Sequence, residues 1–453
     1  CLDHHPEVIT AIAALAAGPI RTEPNVTHDA WAGRTLQALL GSPQRVAETW
    51  AFFSGPQRPA RIAGAAAGNA TMEDLVTQVP DVLGPAGADP DNHHQKYFFV
   101  KFLDPSDFPP FAYVGFNPDG LRALGARPDT LRHHVAELLW EDRRALESLA
   151  ELLRSSLSSR AACERFTSSY QRWAIEEAVA DWAGRGSREW IGDFTAPALA
   201  ARAQALLARL AHDRRRIVGL MHGIEFRPDQ AILIAAPTLH AIAGLSLQLH
   251  PNAPGNFHPK DELWIYKEIR CPDGSTGWIL VEPQRTFDKT DSGADFFTPF
   301  AWDDRLGLRF RKAISPSSLE QFVQLMDATP RPVSHYLRQA RPMSLPEGAT
   351  QGQARWVRVV EEPDWPHFLV RELRFDGPGE SAVPLTHESC IELHATQGRV
   401  EFTLTGRSGA HAPCEVSPTH PAFLPANLPF DAIRYRAAEP AQLLLVTRRP
   451  APR

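Results

Sequence analysis

Two periods of apolar residues divide the chain into zones. Leu131, Val135, Leu138, Leu139, Leu146, Leu149 and Leu153 recur at helical spacing, and Ala198 to Leu210 does likewise. Residues 119–216 are therefore expected to form a helical subdomain, with the Arg214-Arg215-Arg216 run as a solvated helix face. A shorter apolar helix is expected from Val8 to Ala17, stopped by Gly18-Pro19. Elsewhere the period is two. Leu245 to His250 alternates, and Glu262 to Tyr266 has the β-branched and aromatic content of a strand. After residue 352, segments such as FLVRELRF, IELHATQGRVEFTL and AQLLLVTRR alternate between turns, the pattern of a β-sandwich or jelly roll. Residues 328–352 are Pro-rich and without period, expected as a linker or an exposed crossing segment.

Composition narrows the class. With 453 residues there is ample material for a sizeable core, and 43% hydrophobic with 22% charged residues is the balance of a globular protein. A net charge of −6 gives no general reason to bind nucleic acid or an anionic membrane. No apolar run approaches the roughly 18–20 residues of a membrane helix. The five Cys are odd in number and widely spaced, with no CxxC, which points to a reducing cytoplasm rather than a disulfide framework. The chain opens on Cys1, so a fragment or processed form is expected.

The stretch from His240 to Tyr266 carries the candidate chemistry. Gln248 and His250, two residues apart in a strand, project from one face. A turn rich in Pro, Gly and Asn then brings back a strand beginning at Glu262, and His240 can supply a second imidazole from the preceding strand end. Two nitrogens and two oxygens suit a borderline divalent ion such as zinc, with a position left for water or substrate. A lone His or Gln in a strand is more often a hydrogen-bonded or surface residue, and 18 His make accidental clusters common.

Several segments resemble type I phosphomannose isomerases. Trp31, Gly33, Leu36, Gly41, Glu48 and Trp50 follow the order of that family's opening, and TMEDLVTQVPDVLG and YFFVKFLDPSD continue it. Where the family has its metal-binding Gln-x-His-Pro, this chain has Gly115-Phe116-Asn117-Pro118; glycine offers no ligand atom and Asn is a poor substitute for imidazole. The motif reappears later. LSLQLHPN, Leu245 to Asn252, is close to the family's Leu-Ser-Ile-Gln-x-His-Pro-Asn, Lys260 precedes Glu262 as a Lys precedes the family's ligand Glu, and His240 resembles its last ligand. Either the site has been rebuilt after the helical zone, or Gln248 and His250 only imitate the motif in an inserted loop.

The resemblance implies a metal-dependent aldose–ketose isomerase interconverting mannose 6-phosphate and fructose 6-phosphate. It implies one Zn2+ per chain on His240, Gln248, His250 and Glu262. Lys260 is then a candidate base and Arg285 an aid to proton transfer, while Ser246 or Arg285 could hold an anionic substrate group; ordinary surface polarity explains Ser246 and Arg285 equally well. The rival reading is a non-catalytic sugar-binding or regulatory protein that kept the architecture and lost part of the site. AFLPANLPFDAI, Ala422 to Ile433, resembles AILIAAPTLHAI, with Asp431 where His240 sits. His394 and His420 in that zone read as incidental. The expected class is mainly β with an α insertion: two cupin-like jelly-roll β-sandwich modules plus a helical subdomain. The expected divisions are 1–118 (N-terminal part of the central sandwich), 119–216 (helical), 217–327 (central module with the metal site), 328–352 (linker) and 353–453 (C-terminal sandwich).

Overall fold

The computed structural model describes residues 17–28, 33–52, 59–64, 69–83, 93–98, 111–154, 156–180, 197–235, 238–242, 246–249, 262–285, 291–295, 299–310, 316–345, 352–360, 368–384, 389–406 and 409–448, with isolated residues 10, 14, 347 and 350. The helix expected at 8–17 lies almost wholly outside them. Along the chain come β1 (Ile20–Glu23), β2 (Asn25–Thr27), α1 (Arg34–Leu40), β3 (Glu48–Trp50), β4 (Arg61–Ile62), α2 (Met72–Gln78), β5 (His93–Phe98), β6 (Phe111–Phe116) and α3 (Pro118–Ala123). Three long helices follow: α4 (Leu131–Leu153), α5 (Arg160–Ala180) and α6 (Pro197–Gly219). Then come β7 (Met221–Glu225), β8 (Gln230–Ile234), β9 (His240–Ile242), β10 (Ser246–Leu249), β11 (Glu262–Arg270), β12 (Thr276–Arg285), β13 (Asp291–Asp295), β14 (Phe300–Asp303), β15 (Gly307–Phe310) and α7 (Pro316–Leu325). The rest is strand: β16 (Leu337–Gln339), β17 (Arg341–Pro342), β18 (Ala354–Val360), β19 (Phe368–Phe375), β20 (Gly379–Pro384), β21 (Ile391–Gln397), β22 (Val400–Gly406), β23 (Gly409–Ala410), β24 (Cys414–Val416), β25 (Ala422–Leu424), β26 (Ala432–Ala437) and β27 (Ala441–Arg448).

Antiparallel pairing builds two sandwiches. In the central one, the sheet β16-β8-β11-β12-β5-β3-β2 faces the sheet β13-β10-β9-β6-β7. In the C-terminal one, β17-β18-β19-β27-β21-β25-β1-β4 faces β20-β26-β22-β23, with β24 on β22. The protein is thus mainly β with a helical insertion and two cupin-like jelly-roll modules. The sequence repeat has a structural counterpart. AILIAAPTLHAI leaves one central sheet at β8 and enters the facing sheet at β9, and AFLPANLPFDAI makes the same crossing from β25 to β26.

The strand β11 shows how one sequence serves two cores. Successive side chains point to opposite faces, so Trp264 and Tyr266 enter the central core with Val114, Phe226 and Tyr336. Leu263, Ile265 and Ile269 instead meet Val370, Leu444 and Val446 of the C-terminal module. The large C-terminal sheet is consequently covered on both faces, and β21 is buried along nearly its whole length although its residues alternate between apolar and polar. All seven leucine and valine positions read as the apolar stripe of α4 are buried.

Three expectations need correction. The N-terminal zone is divided between the modules: β2, β3 and β5 join the central sheet, whereas β1 pairs with β25 and β4 with β1 in the C-terminal sheet. The 328–352 segment is more than a linker. It crosses between modules, giving β16 to β8 and β17 to β18, and it buries Tyr336. The arginine run is not a solvated face. Arg214 donates to Asp142 at 2.7 Å and to the Tyr170 hydroxyl at 2.8 Å, Arg215 pairs with Glu177 and Arg216 with Glu141, because acidic residues of α4 and α5 face α6.

An ion-pair network lies at the edge of the intermodule core. Lys267, on the outward face of β11, stands 2.5 Å from Glu372, which is fully buried on β19. Arg374 donates to the other Glu372 oxygen at 2.8 and 2.6 Å and also binds Asp229. Burial works to raise the Asp229 carboxyl, but the Arg374 hydrogen bond and the neighbouring Lys267 and Arg374 charges hold it below the usual carboxylate range. Asp229 is the one non-glycine residue at positive φ among those described, 68°; its carbonyl accepts from the Ala340 N–H at 2.7 Å, which helps hold that conformation.

His394 is fully buried on β21, its ring centroid 6.3 Å from that of Phe52. Burial drives its imidazole down to about 3. In the unfolded chain the same ring protonates near 6.5, so the unfolded state binds more protons between those values. The His394 contribution is complete above about pH 6.5 and is lost as pH falls toward 3. Lowering the pH from 7 to 5 should therefore cost about 2 kcal/mol. Urea denaturation of His394→Leu is expected to show a flatter pH profile; the wild-type slope in that variant would place the effect elsewhere.

The four described cysteines, Cys163, Cys271, Cys390 and Cys414, form no disulfide with one another. Among the described residues no helix is long and apolar enough to cross a membrane.

Candidate functional site

His240 and Glu262 meet inside the central sandwich from opposite sheets. Glu262 opens β11 on the face that also carries Trp264, two residues on. His240 opens β9, directly after the turn in which the Thr238 N–H bonds back to the Ala235 carbonyl. Both side chains are almost wholly out of solvent, 0% and 4% exposed, and His240 Nε2 lies 3.8 Å from Glu262 Oε2. His240 Nδ1 is 2.9 Å from the Thr238 carbonyl oxygen. A carbonyl can only accept, so Nδ1 carries a proton and Nε2 is the nitrogen left to face the carboxylate. Trp264 Nε1 donates to Glu262 Oε2 at 2.9 Å.

This chemistry suits a cation. Nitrogen and carboxylate oxygen face each other at a separation too long for a direct hydrogen bond. Two ligands with bonds of about 2.0–2.2 Å on a tetrahedral ion stand roughly 3.4 Å apart, close to the separation seen. The second-layer carbonyl on Nδ1 is the arrangement metal-binding imidazoles use. Among the described residues no group of three or more His, Cys, Asp or Glu could hold a metal ion. Of the other expected ligands, Gln248 is the cross-strand partner of His240 in the β9–β10 pair; His250 lies outside the described residues, as does Lys260. Ser246 stands opposite Asp295 in the β10–β13 pair, and Arg285 ends β12 opposite His93.

The strand order explains the displaced motif. β9 has two neighbours, β6 and β10, and His240 is in register with Val114 on one and Gln248 on the other. On the β6 side the expected Gln-x-His positions have other work. Gly115 sits at a register shift in β6 with φ +54°, and a Cβ there would come within 2.0 Å of the Tyr336 hydroxyl. Burial pushes that phenol up to about 12. Asn117 caps α3, its side chain accepting from the Asp119 N–H at 2.9 Å. Gly115→Ala is expected to destabilise the fold by about 2–4 kcal/mol, from the left-handed backbone and the overpacked ring together. Thermal or denaturant unfolding measures it, and a loss under about 1 kcal/mol would mean that Tyr336 gives way easily.

One inward residue of the site was not singled out from spacing. Trp264 was legible in principle, since a period of two puts it beside Glu262. In the C-terminal module the residue at the His240-equivalent position, Asp431, is exposed.

No protein-family model matches the chain, and no curated protein sequence matches it. Among solved structures, the mannose 6-phosphate isomerase from Bacillus subtilis is 12% identical with a TM-score of 0.42, covering 94% of this chain and 99% of that one. A cupin 2 domain-containing protein from Halorhodospira halophila is 20% identical with a TM-score of 0.17, covering 26% of this chain and 81% of that one. The quercetin 2,3-dioxygenase from Acinetobacter baumannii is 10% identical with a TM-score of 0.22, covering 49% and 59%. The sandwich topology of the chain itself shows a fold, two β-sandwich modules with a helical insertion. Its likeness to mannose 6-phosphate isomerase is distant.

Proposed function

We propose that the protein is a metal-dependent aldose–ketose isomerase of phosphorylated hexoses, interconverting mannose 6-phosphate and fructose 6-phosphate. The observation that carries this reading is the buried His240–Glu262 pair, with Nδ1 protonated toward Thr238 and Nε2 turned toward the carboxylate. The resemblance of the 240–262 segment to the phosphomannose isomerase motif names the chemistry. His240 and Glu262, joined by Gln248 and His250, would hold a zinc ion, which when bound supplies Lewis acidity to adjacent substrate oxygens. The chain does the rest. Moving a proton between C1 and C2 of the sugar needs a base within hydrogen-bond reach, and Lys260 is assigned that role. Arg285 and Ser246 are assigned to the anionic end of the substrate.

The β6 side favours a second reading. With Gly115 filled against Tyr336 and Asn117 committed to a helix cap, a sugar-binding protein without catalysis would look the same there. Purified protein separates the two. The isomerase should retain about one zinc per chain and convert mannose 6-phosphate to fructose 6-phosphate. A preparation that binds hexose phosphates but holds no zinc, and turns none over after zinc is added, supports the binding protein instead.

A further inference from the structure

We propose that Trp264 is the positioning residue of this site: its indole N–H orients the Glu262 carboxylate while the edge-on packing between its ring and His240 seats the imidazole. The inference rests on the metal-site reading above and adds a residue that touches neither metal nor substrate.

Three observations converge. The indole N–H is 2.9 Å from Glu262 Oε2, the same oxygen that faces His240 Nε2. An indole N–H can only donate, so the bond requires an acceptor lone pair on that oxygen and sets the rotation of the carboxylate. The Trp264 and His240 rings meet at 77° with centroids 5.3 Å apart, so the same side chain limits the tilt of the imidazole. The indole is itself held. It is 1% exposed and packs on Phe226, which stacks on Tyr266, which in turn stacks on Trp278 at 4.9 Å. Swinging the indole away would therefore disturb a row of four aromatic rings. Glu262 and Trp264 lie on one strand face, so their relative placement follows from backbone pleat and tolerates little drift.

Trp264→Phe keeps most of the apolar ring and deletes the donor. Outer donors of this kind are worth roughly 10–100-fold in metal affinity, and that weakening is expected for zinc in competition with a chromophoric chelator. Because Trp264 touches no substrate, kcat should fall while KM for mannose 6-phosphate holds. In a Glu262→Gln background, Trp264→Phe should add little further loss, since the group it orients has changed. If Trp264→Phe binds zinc as wild type does, or weakens it equally in both backgrounds, the positioning role is overturned. If Glu262→Gln itself leaves zinc affinity unchanged, the metal-site reading falls, and the positioning role falls with it. Should Trp264→Phe lose its far-UV circular dichroism, indole-selective 15N labelling of the folded wild-type protein decides. The Trp264 Nε1–H resonance must then move when zinc is added and again in Glu262→Gln; an unmoved resonance overturns the proposal.

Discussion

Glu372→Ala is expected to destabilise the protein by about 3–5 kcal/mol, among the largest effects of any single substitution outside the aromatic core. The carboxylate is fully buried and takes both Lys267 and Arg374. Removing it leaves the Lys267 ammonium, 3% exposed, with Asp229 at 3.8 Å as its remaining acidic partner. The cost comes from an under-compensated buried charge rather than from the lost attraction itself, which the desolvation of both partners largely offsets. The triple replacement Lys267→Met, Glu372→Leu, Arg374→Met should accordingly recover most of the loss. Denaturant midpoints for the single and triple variants measure this. A single variant within about 1 kcal/mol of wild type would show that water reaches the network and screens it. The network also joins Asp229 and β11 of the central module to β19 of the C-terminal one. Loosening it should therefore lower the cooperativity of unfolding between modules.

His240→Ala is expected to abolish stoichiometric zinc and to lower phosphosugar isomerisation by at least about 100-fold. The imidazole faces Glu262 across 3.8 Å, and the Thr238 carbonyl and the Trp264 ring limit its orientation. Its removal leaves a small, fully enclosed gap, so a modest loss of stability accompanies the loss of metal. Metal analysis after dialysis, with a coupled assay for fructose 6-phosphate, reads both effects on one preparation. Retention of about one zinc per chain by the variant would move the metal away from His240. Zinc loss with unchanged turnover would separate the metal from the chemistry.

Residue patterns alone determined a good part of this protein. Helical leucine spacing placed α4, β-branched and aromatic content placed the start of β11, period-two alternation placed most of the C-terminal strands, and the 240–262 segment contained both His240 and Glu262. These are local properties: the side-chain period follows from backbone geometry, so the face a residue occupies can be read from its neighbours. What alternation does not contain is the identity of the strand alongside. β9 could have taken its polar neighbour from β6 or from β10, and only the assembled sheet shows Val114 on one side and Gln248 on the other. The same holds for Tyr336. Its segment lacks any period, yet its ring fills the space that the missing Cβ of Gly115 leaves open. The capture of β1 by β25, and the pairing of Lys267 with Glu372 across the modules, likewise join residues far apart in sequence. Their free energy comes from burying two complementary surfaces at once, a quantity that no single stretch of the chain carries.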